Sequence, residues 1–309
     1  MYTFMKILSF IICHVPECVR RGLGTFLGAF FWTFVPGKRK KLAQQQILDC
    51  GITKDPQAAM AIAKASSVRF GPMIIEVLSY PIYTPEKLDE KVTVVGKEYL
   101  DAQMESGEGC IIMASHAGNW ELVGATLAMH GYPLISVAQQ QNSSSADRFI
   151  NEYRTLMHQH VTYKTGIRDM IRLLNDGHYI GLLMDQDPGY TGIMVKLFGQ
   201  DTLTADGPVK LAALHNYAIL GVFIHEDRPY HHVIELTPPM RPFPTGVKLT
   251  KDDKNHLVYE RTQELNDMLE AHIRKYPQDW FWLHNRWKWT KRYKIKHAEK
   301  ENTVSPEVK

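Results

Sequence analysis

Short apolar and β-branched runs, separated by helical patterns, limit this chain to alternating strand and helix. Residues 110–114, Cys110-Ile111-Ile112-Met113-Ala114, read as a buried strand. Residues 92–95, 134–137, 180–184, 219–224 and 233–236 continue the series. Helical periodicity fills most of the gaps, at 122–129, 146–157, 167–174, 209–214 and 257–273. Such alternation predicts an α/β sheet covered by helices. Asp55-Pro56 marks a helix start, an acid followed by a proline whose missing N–H costs nothing at the first helical position. Pro72 ends or kinks that helical region before residues 74–78.

The chain has 309 residues, 44% of them hydrophobic and 22% charged, enough for one large domain or two small ones. No internal repeat and no Gly/Ser-rich linker divides it, which favours one principal domain over residues 42–296. Residues 22–36 carry no charge and lie between Arg20-Arg21 and Lys38-Arg39-Lys40-Lys41. As a helix they would reach ~22 Å, short of the ~30 Å hydrocarbon core of a bilayer. With the apolar run 7–12 before Pro16, residues 1–41 read as a membrane-embedded or interfacial helical hairpin, the alternative being a core helix. Residues 297–309 are polar, lack an apolar period and read as a loose tail.

Cys13, Cys18, Cys50 and Cys110 form no CxxC pair and no metal-ligand cluster with histidines, and no Ala-x-Ala cleavage site is present. These features predict a reduced, cytosol-facing protein. Net charge is only +3, but basic residues gather at 38–41 and 288–296. Phosphate-bearing lipid headgroups fit such clusters, as does an ordinary solvated face. No zinc-finger or RNA-recognition motif accompanies them, so nucleic acid is not an expected partner.

The chemistry centres on Ser115-His116-Ala117-Gly118-Asn119-Trp120-Glu121. A histidine at the end of a strand and an acid in the first turn of the next helix can form a pair. The carboxylate would then set the imidazole tautomer and leave the other ring nitrogen free to take a proton. A His and a Glu at this spacing also occur by chance, so the neighbouring blocks decide. The HxxxxE box around Gly-Asn-Trp resembles the active-site box of the bacterial lipid A biosynthesis acyltransferases, a branch of the glycerophosphate and lysophospholipid acyltransferases that more often carries HxxxxD. Residues 181–189, with Asp185-Gln186-Asp187, resemble that family's strand and Asp-x-Asp turn. Residues 202–208 resemble its Thr-rich Gly-Pro helix start, and 280–288 its Trp-Leu-His-x-Arg segment. Gly221 departs from the proline many relatives carry.

The resemblance implies a mixed sheet covered by helices, like that of the glycerophosphate acyltransferases. It implies transfer of a fatty acyl group from acyl-acyl carrier protein, or acyl-CoA, to a hydroxyl of a lipid A precursor. His116 would be the general base and Glu121 its support. Neither acyl-enzyme, cofactor nor metal is expected, and the absence of a Gly-x-Ser-x-Gly elbow agrees with direct attack. Expected partners are a membrane lipid acceptor, acyl carrier protein and the phospholipid bilayer, at the cytoplasmic face of a bacterial inner membrane. A phosphatidylinositol mannoside or a lysophospholipid is the alternative acceptor. Two other classes compete: a non-catalytic membrane-binding protein, and a metal-dependent glycosyltransferase using Asp185 and Asp187.

Further candidates are the 117–119 turn with Asn119, and Arg154, as oxyanion donors. Asp185 and Asp187 suit either a divalent metal or, by the resemblance, a turn shaping the cleft beside His116. Lys210 follows the helix start at Gly207-Pro208, where a phosphate could sit, although capping by Asp206 explains the same residues. Arg286, with Lys288, could face lipid phosphates beside Trp280, Trp282, Trp287 and Trp289, themselves read mainly as packing residues. His225, His231 and His232 lack an HExxH pattern and read as surface residues around the 227–230 turn rather than metal ligands.

Overall fold

The structure is a computed structural model that describes residues 1–138, 144–163 and 166–304. Its strands are β1 (Val92–Val95), β2 (Cys110–Ala114), β3 (Leu134–Ala138), β4 (His160–Tyr163), β5 (Tyr179–Leu183), β6 (Ile193–Leu197), β7 (Gln200–Thr204), β8 (Ala218–Arg228) and β9 (His231–Leu236). Seven of them form one sheet in the order β1-β9-β8-β2-β5-β3-β4, parallel throughout except between β8 and β9. The expected mixed, helix-covered sheet is therefore present. β2 is its central strand, and its apolar run is explained by cover on both faces. Cys110 and Ile112 enter one hydrophobic core with Leu122 and Leu220, while Ile111 and Met113 enter the opposite core with Leu265 and Trp282.

Helices α1 (Tyr2–His14), α2 (Glu17–Phe34), α3 (Gly37–Asp49), α4 (Pro56–Val68) and α5 (Phe70–Leu78) precede the sheet. α6 (Pro85–Asp89) leads directly into β1; α7 (Lys97–Ser106), α8 (Trp120–Met129), α9 (Ser144–Leu156), α10 (Ile167–Asn175) and α11 (Gly207–Ala213) are interleaved with the strands, and α12 (Lys251–Lys275) and α13 (Lys288–Val304) follow. Asp55 caps α4 through the N–H groups of Gln57 and Ala58, with Pro56 at the first helical position. The break before residues 74–78 falls at Arg69, and Pro72 lies in the first turn of α5, where a missing N–H is harmless.

Two findings differ from the sequence expectation. Residues 202–204 belong to the antiparallel hairpin β6–β7, whose two-residue turn puts Phe198 (φ 53°) and Gly199 (φ 71°) in the left-handed region. Phe-Gly lacks the Asn-Gly or Asp-Gly signature, so that hairpin and the short edge strand β4 escape local pattern reading. Residues 297–304 continue α13 rather than forming a loose end, and 305–309 lie outside the described residues.

The N-terminal helices are seated on the body of the protein. A Cβ at Gly28 would come within 1.9 Å of the Val68 carbonyl, and one at Gly71 within 2.1 Å of the Gly24 carbonyl, so α2 approaches the end of α4 and the start of α5 backbone to backbone. From α1, Ile12 enters the core and Ser9 donates to the Leu78 carbonyl at 2.6 Å. Their outer faces expose Phe4, Ile7, Phe10 and Ile11 on α1 and Phe26, Phe30 and Phe34 on α2. Among the described residues no helix is long and apolar enough to cross a membrane.

Candidate active site

Two adjacent parallel strands bring the reactive groups together. In the register of β2 and β5, Ala114 lies opposite Leu183. His116 and Asp185 each lie two residues beyond the end of their strand, so the two side chains emerge together at the carboxyl edge of the sheet, where open α/β folds bind ligands. His116 Nδ1 lies 2.7 Å from Asp185 Oδ1, and the His116 backbone N–H donates to Asp185 Oδ2 at 2.9 Å. Trp280 Nε1 donates to the same Oδ2 at 2.8 Å. Burial alone would raise the Asp185 carboxyl, but the charge of His116 and these hydrogen bonds outweigh it and hold the group below its ordinary value. A carboxylate only accepts, so Nδ1 carries the proton of that bond, and in the neutral imidazole Nε2 keeps its lone pair. Nε2 has no hydrogen-bond partner among the described residues, and the His116 side chain is 18% exposed.

The carboxylate that holds His116 is therefore Asp185, whereas the sequence expectation assigned that part to Glu121. Helix geometry explains the difference. Trp120 opens α8 and packs its ring edgewise on His116 at 5.0 Å. The next residue is turned ~100° around the axis, which takes Glu121 away from the imidazole. Both its oxygens instead accept from Arg154 on α9, from Nε at 2.9 Å and Nη2 at 2.7 Å. This partly buried fork-to-fork pair ties α8 to α9. Arg154, expected as an oxyanion donor, spends two of its donor groups on Glu121.

The other candidates are placed as follows. Asn119 caps α8, accepting from the Leu122 N–H, and donates through Nδ2 to Glu76 at 2.8 Å. Asp187 closes its own turn: its carboxylate accepts from the N–H groups of Gly189 at 3.0 Å and Trp289 at 2.7 Å. Its backbone N–H donates to His284 Nε2 at 3.1 Å, and burial holds His284 below its ordinary pKa, favouring that neutral acceptor form. Both acids of Asp185-Gln186-Asp187 thus face N–H donors, an environment that suits a carboxylate and repels a cation. Lys210 pairs with Asp206 at 2.6 Å on the seven-residue helix α11, and the Asp206 side chain makes no capping bond. Arg286 is fully buried, donating to the Leu203 carbonyl at 2.6 Å and Thr204 Oγ1 at 2.8 Å; it holds β7 to the segment before α13 and does not face lipid. Burial pushes its pKa down to about 10.

His225 and His232 are buried, contrary to the surface reading. His225 stacks on Tyr276 at 3.6 Å, and His232 Nε2 lies 2.9 Å from Glu76 Oε1. His231 pairs with Asp227 at 2.6 Å.

Sequence reasoning missed Arg69, Glu76, Phe70 and Phe281. Phe70 packs edgewise against Trp120 at 5.8 Å and Phe281 at 5.1 Å, forming an aromatic shelf beside His116. Glu76 left one signal, an acid inside the apolar run 74–78. Nothing local marked Arg69.

The sequence pattern of the bacterial lipid A biosynthesis acyltransferases matches residues 2–289. The chain is 27% identical over 232 residues to a phosphatidylinositol mannoside acyltransferase of Mycolicibacterium smegmatis, covering 73% of this chain and 72% of that protein. It is 27% identical to the phosphatidylinositol mannoside acyltransferase of Mycobacterium tuberculosis, over 81% of this chain and 76% of the other. Lipid A biosynthesis acyltransferase 2 of Shigella flexneri is 21% identical over 68% of this chain and 65% of its own length. Among solved structures, the 1-acyl-sn-glycerophosphate acyltransferase PlsC of Thermotoga maritima aligns over 82% of this chain and 98% of its own, with 15% identity and a TM-score of only 0.37.

Proposed function

We propose that this chain, which belongs to the bacterial lipid A biosynthesis acyltransferase family, moves a fatty acyl group from a thioester donor to a hydroxyl of a membrane glycolipid. One observation carries the reading: His116 is held through Nδ1 by Asp185 while Nε2 has no hydrogen-bond partner among the described residues. In the proposed step Nε2 takes the proton of the acceptor hydroxyl as its oxygen attacks the thioester carbonyl. Asp185 stabilises the imidazolium that forms, and that proton then goes to the departing thiolate. The new C–O bond and the broken C–S bond balance without an acyl-enzyme. The N–H groups of Ala117 and Asn119 supply the oxyanion donors, that of Gly118 being committed to the Asp279 carbonyl at 2.9 Å. Glu121 and Arg154 act at a distance by fixing α8, which carries Trp120 against the imidazole.

Acyl-acyl carrier protein or acyl-CoA serves as donor. The acceptor is a sugar-bearing phospholipid, a class that includes both lipid A precursors and phosphatidylinositol mannosides; relatives named for each support it. Membrane contact at the cytoplasmic face of a bacterial inner membrane comes from the outward faces of α1 and α2. Their exposed aromatic residues run towards the basic residues 38–41, so the helices would lie in the plane of the interface.

The test incubates purified protein with radiolabelled acyl-acyl carrier protein or acyl-CoA and three acceptors: a lipid A precursor, a phosphatidylinositol mannoside and a lysophospholipid. Transfer to a glycolipid is expected, reduced roughly 10²–10⁴-fold in a folded His116→Ala protein. Near-parental turnover by that variant would overturn the mechanism, and transfer to the lysophospholipid alone would overturn the acceptor class.

A further inference from the structure

We infer that Arg69 is a positioning residue, acting through the backbone of the His116 turn; the inference rests on His116 being the base. Arg69 stands at the break between α4 and α5, with its guanidinium over the rings of Phe70 at 4.9 Å and Trp120 at 5.7 Å. Nη2 donates to the His116 carbonyl at 3.2 Å, and Nη1 donates to the carbonyl of Gly118. One rigid fork therefore grips two carbonyls on alternate residues of the turn that carries the imidazole. A lysine ammonium, a single point of donation, could not reproduce that arrangement.

A buried cation is costly, and structures normally offset it with a paired carboxylate. Burial pushes Arg69 down to about 10, so it stays charged at neutral pH. Asp279, Asp185 and Glu226 are near enough to favour the charge, yet among the described residues its hydrogen bonds go to the two backbone carbonyls. Its Nε, also buried, has no hydrogen-bond partner among the described residues. The donors of a desolvated cation are thus concentrated on the active-site turn.

The consequence follows from peptide planarity. Among the described residues no peptide bond is cis, so fixing the carbonyls of His116 and Gly118 also fixes the N–H groups of Ala117 and Asn119, which point away from Arg69. Neither N–H has a hydrogen-bond partner among the described residues. Gly118 permits the geometry with φ +53°, and a Cβ there would lie 2.5 Å from the Ile224 carbonyl. The next residue is held by the same helix: Glu76 of α5 accepts from Asn119 Nδ2 and is itself held by His232. Both anchors come from one end of α5 or the other, so that element sets the turn as a unit.

A double-mutant cycle separates positioning from plain structural support. Arg69→Met should lower kcat by about 10–100-fold, the scale of a misplacement near 1 Å, with donor KM within about threefold. In a His116→Ala background the same substitution should cost less than about threefold, because the group being positioned has gone. Equal factors in both backgrounds would overturn the inference. Arg69→Lys keeps a buried cation and serves if Arg69→Met does not fold; partial activity and the same non-additivity are expected.

An activity-free readout is the low-field proton resonance of His116 Nδ1–H, identified by its loss in His116→Ala. It should shift or broaden in Arg69→Lys, and an unchanged resonance would overturn the inference even if no acyl transfer were seen. A shifted resonance in a parent protein that transfers no acyl group would refute the proposed function and leave the positioning intact.

Discussion

Asp185→Asn is the most informative single substitution, because the structure dictates which way the amide must face. Asp185 Oδ2 accepts two N–H groups, from the His116 backbone and Trp280, while Oδ1 accepts only the imidazole proton. Asparagine has one oxygen and one NH2. With its oxygen towards His116 Nδ1–H, its NH2 would confront two N–H donors in a site that is 2% exposed, leaving them unsatisfied at about 1–3 kcal/mol each. The opposite orientation keeps both N–H bonds and points the NH2 at Nδ1. It forces Nδ1 to accept and moves the ring proton to Nε2, the atom proposed as the base. The second orientation is favoured, and by roughly 2 kcal/mol or more it locks the imidazole in the wrong tautomer. Loss of kcat on the order of 10³–10⁴-fold should follow, as for other His-carboxylate pairs. The assay is acyl transfer over a range of pH, with Tm as the control for folding. Parental kcat in a folded Asp185→Asn protein, together with a collapse in Glu121→Gln, would refute this reasoning and restore Glu121 as the partner of His116.

Glu121→Gln leaves the partly buried Arg154 without its anion and should destabilise the protein by up to about 3 kcal/mol in urea unfolding; adding Arg154→Met should recover much of that, and no recovery would show that the pair is not the cause. The pair Phe26→Glu and Phe30→Glu alters rings that are 67% and 48% exposed, so circular dichroism should be unchanged while flotation with anionic liposomes falls more than tenfold; equal flotation would move the membrane contact elsewhere. His272→Phe tests the buried histidine, whose pKa burial pushes from 6.5 to about 4. Between those values the unfolded chain binds more protons, so this histidine makes stability rise with pH by on the order of 3 kcal/mol. Asp279, raised by burial from 3.8 to about 6, binds more protons when folded and makes stability fall with pH over much the same window. The variant should therefore lose stability between pH 4 and 6 relative to the parent; identical pH profiles in urea unfolding would refute the assignment.

What the sequence determined by itself was local. Periodicity located β2, β5, β8 and the helices between them, because burial of one face or both imposes a period on the side chains within a few residues. Capping chemistry placed the start of α4, and the His116 box stood at the end of a buried strand, which points to a site at the carboxyl edge of a sheet. Contacts between distant segments were decided only in the tertiary structure. Asp185 reaches His116 across 69 residues because β2 and β5 pair in one register, and a shift by one position would turn each side chain to the other face. Glu121, five residues from His116, is turned away because its direction is set by the azimuth of α8 and by the position of Arg154 on α9. Arg286 and Arg69 read as surface cations in any linear pattern, yet Arg286 is buried and Arg69 largely so, because backbone carbonyls and hydroxyls from remote segments converge on them. A chain carries its periodicities within a window of a turn or a strand; which of its charged groups end up facing one another depends on how those elements dock.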